Sequence, residues 1–101
     1  MAETISASNP PKTIKVSLTA GSVSSPQFVT PECAIACIPG AGGSMKAEAS
    51  WSSVADVLAG TANWHDWNSG TVTAKTVEML YRATAVRFTA TTQDGVGEVS
   101  L

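Results

Sequence analysis

AVRFTATTQDGVGEVSL, residues 85–101, alternates apolar and polar side chains over most of its length. The apolar residues share one face in 86–91 and again in 97–101. Such a period of two is typical of a strand that buries one face. The Asp94-Gly95 pair between the two halves is a frequent hairpin-turn sequence, because glycine tolerates a positive φ. The stretch therefore predicts an antiparallel hairpin.

The same pattern occurs upstream. TIKVSLT (13–19) and MKAEASW (45–51) also alternate, whereas CAIACI (33–38) is apolar on both faces, as in a strand that is covered on both sides. The glycine-rich PGAGGS (39–44) predicts a turn. We therefore expect 33–38 and 45–51 to form a second hairpin, with Trp51 facing the core.

Shorter extended pieces and one helical turn complete the predicted elements. Residues 27–30 and 71–81 are expected to be extended, and SSVADVLAG (52–60) predicts a helical turn that Ser53 caps and Gly60 ends. Seven to nine short strands, spaced about 8–12 residues apart, predict an all-β fold, a single antiparallel β-sandwich that is jelly-roll-like with at most one helical turn. The predicted core consists of Ile14, Val16, Leu18, Phe28, Ile35, Trp51, Val72, Val77, Met79, Val86, Phe88 and Val99.

The first twelve residues differ from the rest. Residues 1–12 are polar, lack aromatic side chains and include Pro10 and Pro11, which favour an extended segment and cannot join a central strand. We predict a flexible N-terminal arm over 1–12, loose in solution or laid against a neighbour, and one β-sandwich domain over 13–101.

The composition excludes several classes of function. Charged residues make up 14% of the chain, against about 25% in a typical soluble domain, and the net charge is −2. Such a chain offers no basic surface for phosphates, so we expect no nucleic-acid binding. No apolar run approaches the ~20 residues of a membrane-spanning helix. Glu3 stands where a secretory signal needs a basic start, so we expect the chain to stay in the cytoplasm or to leave it by lysis or assembly rather than by secretion.

Cys33 and Cys37 are candidates for a disulfide bond or for metal binding. Residues four apart in a strand are separated by about 13 Å, which is too far for a disulfide. A zinc site needs about four ligands, and the chain adds only His65 and scattered carboxylates. We expect two reduced, buried cysteines, no metal and no cofactor.

His65 is the single histidine and precedes Asp66. A nucleophilic triad would use these two side chains as base and orienting acid, but adjacent residues in an extended segment rarely face each other. The G-x-S-x-G elbow is missing, and no two carboxylates share an obvious pocket. We therefore expect no catalytic residues and no enzyme activity.

Trp51, Trp64 and Trp67 are half of the six aromatic residues. Because Trp64 and Trp67 are three apart, a regular strand would point them to opposite faces, so at least one should lie outside the core. Three interpretations stay open: tryptophans that fill an alanine-rich core, an anchor for a protein partner, and a platform on which sugars stack.

Three segments resemble small virion proteins of tailed bacteriophages, namely TIKVSLTAGSVSSPQFV, LAGTANWHDWNSGTVTAKT and ATAVRFTATTQDGVGEVSL. The shared element is W-x-x-W-x-x-G-x-V, here Trp64, Trp67, Gly70 and Val72, followed by AVRFT at 85–89. The resemblance implies a β-sandwich or jelly-roll subunit bound to a phage particle, most like capsid decoration (cement) proteins. It also implies location in the virion, after assembly in the cytoplasm of the bacterial host. The resemblance implies no catalytic residues.

The function expected from this resemblance is a structural one, stabilisation of the phage head by binding across capsid subunits. The expected partners are the major capsid protein or another virion protein, together with further copies of the chain in a dimer or trimer. The alternatives are a tail, adaptor or fibre-attachment protein and a carbohydrate- or receptor-binding module. The candidate interface residues are Trp64, Trp67 and His65 in the domain and Ile5, Pro10 and Pro11 in the arm.

Overall fold

Eight strands and one short helix form the part of the chain that the computed structural model describes, residues 13–101. The predicted arm over 1–12, with Ile5, Pro10 and Pro11, lies outside the described residues. The elements are β1 (Thr13–Leu18), β2 (Gln27–Phe28), β3 (Glu32–Pro39), β4 (Met45–Ser50), α1 (Val54–Ala59), β5 (His65–Asp66), β6 (Thr76–Tyr81), β7 (Ala85–Ala90) and β8 (Gly95–Ser100).

The strands form two antiparallel sheets of four. One sheet has the order β1-β8-β3-β6, and the other has the order β2-β7-β4-β5. Except for β4 and β5, each strand lies in the sheet opposite to the strand before it. This is the strand order of an eight-stranded jelly roll. The prediction of an all-β, jelly-roll-like sandwich is therefore confirmed.

Both predicted hairpins are wrong. β8 pairs with β1 and β3, while β7 pairs with β2 and β4, so the segment around Asp94 crosses from one sheet to the other. The glycine-rich segment after β3 crosses between the sheets in the same way. Gly95 is a buried residue of β8 and does not have the positive φ expected of a hairpin turn. Alternation reports which face of a strand is buried, but not which strand lies beside it.

The core is packed around Phe88, a fully buried side chain of β7. Its ring lies against Gly97 of β8 in the opposite sheet, where an added Cβ would overlap the ring atoms. Met45 of β4 occupies the corresponding space over Gly95. The two glycines of β8 thus make room for large side chains that arrive from the facing sheet, since interiors are packed to crystal-like density.

Most of the predicted core is confirmed. Leu18, Ile35, Val86, Phe88 and Val99 are buried, and Ile14, Val16 and Val72 pack against them. Phe28, Trp51, Val77 and Met79 are exposed, so their placement in the core was wrong. Their places are taken by Trp67, Met45 and Leu80, together with the two cysteines and several alanines.

The short helix has the predicted caps. The hydroxyl of Ser53 accepts a hydrogen bond from the backbone N–H of Asp56 at 3.2 Å. Gly60 ends the helix in the left-handed conformation with φ of 79°, which glycine adopts without a steric penalty. At six residues, α1 is far shorter than a bilayer requires, and no other helix in 13–101 could span one.

Candidate interaction surface

Trp67 belongs to the core and does not reach the surface as an interface residue would. Its side chain is 4% exposed, and its indole N–H donates to the carbonyl oxygen of Gly70. Its backbone N–H donates to the carbonyl of Ala47 at 3.0 Å, which fixes the loop after β5 against β4. The predicted interface role of Trp67 is therefore replaced by a packing role, because its face is covered within the domain.

Trp64 is half-buried and is stacked with an arginine. The guanidinium carbon of Arg87 lies 4.4 Å from the centre of the indole ring, within the range of a cation–π contact. The Nε of Arg87 also donates to Oε1 of Glu48 at 2.9 Å. Trp64 thus lies outside the core, as the three-residue spacing from Trp67 predicts, and the charges around it are paired.

Trp51 and His65 form an exposed aromatic pair at one edge of the sandwich. Trp51 is 51% exposed, and its ring centre is 6.2 Å from that of His65. The indole N–H of Trp51 donates to the backbone carbonyl of Tyr81 at 3.1 Å, which connects the end of β4 to the end of β6. We call Trp51, His65 and Tyr81 the aromatic corner. Sequence reasoning identified His65 as a contact candidate but placed Trp51 in the core.

β6 exposes an unbroken row of apolar side chains. Val77, Met79 and Tyr81 are 58%, 52% and 59% exposed, whereas Leu80 points into the core. We call these three exposed residues the apolar row. The period of two was visible in the sequence, but the apolar side was assigned to the core. The inward positions are held instead by Thr76, Glu78 and Leu80.

Glu78 can face inward because a loop supplies its hydrogen bonds. Its carboxylate oxygens accept from the backbone N–H of Asn68 at 3.2 Å and from that of Ser69 at 3.1 Å. The Ser69 hydroxyl adds a third bond at 2.8 Å. A carboxylate with three donors has little need of bulk water. With Glu78 on the inner side, its neighbours Val77 and Met79 point outward, because successive residues of a strand face opposite sides.

A cleft of about 270 Å³ lies between β6 and the loop that follows β5. Trp51, Met79 and Tyr81 supply its exposed apolar side chains. Asp66, Asn68 and Glu78 supply polar groups, and Asp66 is paired with Lys46 at 3.1 Å. The cleft combines flat aromatic faces with hydrogen-bonding groups.

The two cysteines are free, buried and aligned on the inner face of β3. Burial raises the pKa of the Cys37 thiol to about 12 and also raises the pKa of Cys33. Both groups are therefore neutral thiols near neutral pH, whereas the reactive form is the thiolate. Within residues 13–101, no three metal-binding side chains come together.

The free energy of unfolding should decrease as the pH rises above about 9. Unfolded thiols ionise at the ordinary pKa of 9.0, but the buried thiol of Cys37 ionises only at about 12, so alkali favours the unfolded chain in this interval. Each such thiol contributes up to ~1.4 kcal/mol per pH unit. Below pH 9 both states hold the proton and the contribution is constant. Urea unfolding of wild type and Cys37→Ala across this range should show a shallower decline in the variant; equal slopes would contradict the assignment.

No family model, curated protein or solved structure matches this chain.

Proposed function

We propose that this chain is a non-enzymatic structural subunit of a tailed bacteriophage particle, a capsid decoration protein that stabilises the head by binding across capsid subunits. The observation that carries the proposal is the eight-stranded jelly-roll order of the two sheets, an architecture that recurs in viral capsid proteins. One fold serves many functions, so the fold alone does not identify a phage particle. That part of the proposal rests on the sequence resemblance to virion proteins.

The surface chemistry supports a contact protein. Exposed tryptophan and tyrosine are enriched where protein interfaces are most desolvated, and the aromatic corner presents both. Nearby charges are internally paired, as in Arg87–Glu48 and Lys46–Asp66. A partner that covers this region need not separate an unpaired charge from water, which is the costly part of burying polar groups.

The mechanism is the burial of apolar surface at junctions between capsid subunits. Each Å² of apolar area removed from water contributes roughly 25 cal/mol, so a subunit that bridges two capsomers opposes their separation. Trp51 is the proposed anchor, with His65 and Trp64 beside it. The segment 1–12 is the proposed strap across a neighbouring subunit, and the major capsid protein is the proposed partner.

The test begins with the composition of particles of the phage that encodes the chain. For a decoration protein, quantitative mass spectrometry should find the chain in a fixed, high ratio to the major capsid protein. Particles from which it has been removed should lose heat resistance and regain it when wild-type protein is added. Trp51→Ala should restore much less, whereas Leu58→Ala, which truncates an exposed apolar residue of α1, should act like wild type. The absence of the chain from particles, or full restoration by Trp51→Ala, would contradict the proposal.

The same measurement separates the tail or adaptor alternative, because tail components are present in far fewer copies than capsid proteins. A copy number per particle well below that of the major capsid protein would indicate a tail or adaptor protein, which is still a structural role.

A carbohydrate-binding module is the second candidate, and the cleft beside Trp51 favours it. Sugar rings stack on aromatic faces while carboxylates and amides bind their hydroxyls, and the cleft offers Trp51 and Tyr81 beside Asp66 and Asn68. Glycan-array binding that disappears in Trp51→Ala but persists in Leu58→Ala would support this role. No binding to any glycan would exclude it for the sugars tested.

A further inference from the structure

The edges of the two sheets are not equally protected. Exposed sheet edges can recruit further strands, and proteins usually guard them with short strands, charges or proline. In the described sheets, β2 and β5 have only two residues each. β1 is longer, but it carries Lys15 on its outer face, close to Glu98 of β8. β6 is six residues long, and its outward side chains are the uncharged apolar row.

Among the residues that the structure describes, some backbone groups along the outer edge of β6 have no partner. It pairs with β3 on one side, and the N–H of Arg82 donates to Pro31 on that same side. Because alternate residues in an antiparallel ladder address the same neighbour, Val77 and Met79 direct their N–H and C=O groups away from β3. Within residues 13–101 these groups have no hydrogen-bond partner. The carbonyl of Tyr81, which points the same way, is taken by Trp51.

The geometry points to a second copy of this chain as the occupant: we propose that two copies pair antiparallel through their β6 edges and join two four-stranded sheets into one of eight. A strand that pairs with itself across a two-fold axis satisfies both sets of free backbone groups at once. Residues directly opposite in an antiparallel pair share a face, so the two apolar rows lie on the same face of the joined sheet.

The position of Trp51 and the charge of Glu78 select the register. Trp51 covers the edge at Tyr81, so pairing is confined to the part of β6 that precedes this residue. A pairing centred on Glu78 would set two carboxylates opposite each other, which is destabilising. A pairing centred on Val77 sets the two Val77 side chains opposite each other, Thr76 opposite Glu78 and Met79 opposite Lys75. It leaves both Trp51 side chains outside the paired segment. We therefore assign the two-fold axis to Val77.

This pairing goes beyond the proposed binding to a particle, and it can fail or succeed separately from it. It uses the edge of β6, whereas the proposed particle contact uses Trp51 and its neighbours. A monomeric chain that still stabilises particles would overturn the pairing alone, and a dimer that never associates with particles would overturn the proposed function alone.

The test is the concentration dependence of mass in sedimentation equilibrium with the full chain, measured up to about 100 µM, where weak protein contacts are populated. Wild type should approach a dimer and stop there, because the two-fold pairing uses up both free edges. Val77→Lys should raise the dimer dissociation constant at least tenfold, since lysine on an edge strand opposes pairing. Leu58→Lys makes the same chemical change at an exposed apolar residue of α1 and should leave the dimer unchanged.

A second measurement keeps the proposal testable if Val77→Lys fails to fold. Opposite Cα atoms in a hydrogen-bonded antiparallel pair are about 5.5 Å apart, within disulfide range. Oxidised Val77→Cys should therefore form a covalent dimer, and Leu58→Cys should not. A wild type that stays monomeric throughout, a dimer that Val77→Lys leaves intact, or equal cross-linking by both cysteine variants would overturn the pairing.

Discussion

Gly97→Val is expected to destabilise the domain by about 3 kcal/mol or more, at the upper end of the range for overpacked cores. A Cβ at this position would overlap the Phe88 ring, and valine adds two further methyl groups in the same space. Phe88 is fully buried between the two sheets, so its ring can move only by displacing other core side chains. For a domain of this size, the melting temperature should fall by roughly 12–24 °C.

Thermal unfolding followed by circular dichroism measures this effect, and two companion variants make it specific. Glu98→Gln changes the adjacent, outward-facing residue of the same strand. It should cost little, since the contact of Glu98 with Lys15 is long at 3.8 Å and the Lys15 side chain is largely exposed. Phe88→Leu should cost less in the Gly97→Val background than in wild type, because a smaller side chain relieves the overlap. Strictly additive costs would show that the two residues do not oppose each other across the core.

Trp67→Ala should cost about 3–5 kcal/mol, whereas Trp51→Ala should cost about 1 kcal/mol or less. Both residues are tryptophans, but their environments differ, since Trp67 is 4% exposed and Trp51 is 51% exposed. Removing Trp67 leaves a large cavity and frees the carbonyl of Gly70 that its indole satisfies. Removing Trp51 costs one hydrogen bond to Tyr81 at the surface.

Urea unfolding monitored by circular dichroism compares these variants without relying on tryptophan fluorescence, which both substitutions alter. Trp67→Phe should fall between wild type and Trp67→Ala, because the ring volume is mostly retained and only the indole N–H is lost. Similar costs for Trp67→Ala and Trp51→Ala would contradict the burial difference. A stable Trp51→Ala is also what makes that variant informative in the particle assay.

Local patterns in the sequence were enough to locate most of the strands and the short helix. The alternation in 13–19 and 85–101 marked strands, and Ser53 and Gly60 marked the ends of α1, because such signals depend only on neighbouring residues. The three-residue spacing of Trp64 and Trp67 correctly placed them on different sides of the second sheet. Which tryptophan enters the core was not visible in the spacing, because it depends on contacts with distant strands, such as the backbone bond from Trp67 to Ala47.

Signals that depend on distant residues were misread. The apolar row looked like a core face because its polar alternates include Glu78, yet the loop at 68–69 provides the donors that allow Glu78 to turn inward. The Asp94-Gly95 pair looked like a hairpin turn because the need for glycine against Met45 is visible only in three dimensions. The residues of the candidate interaction surface could therefore be recognised as apolar, but their exposure could not be derived from spacing alone.

The strand order also fixes when the chain can fold during its synthesis. Among the strands of residues 13–101, β1 is made first, yet its partner there is β8, which is made last. β3 likewise waits for β6 and β8, so the β1-β8-β3-β6 sheet cannot close while β8 is inside the ribosome. Until then the apolar faces of β1 and β3 lack their cover, a state in which chains aggregate or recruit chaperones. This sheet consequently closes only after β8 has left the ribosome, and the rate at which β8 finds β1 and β3 limits how much protein reaches the folded state.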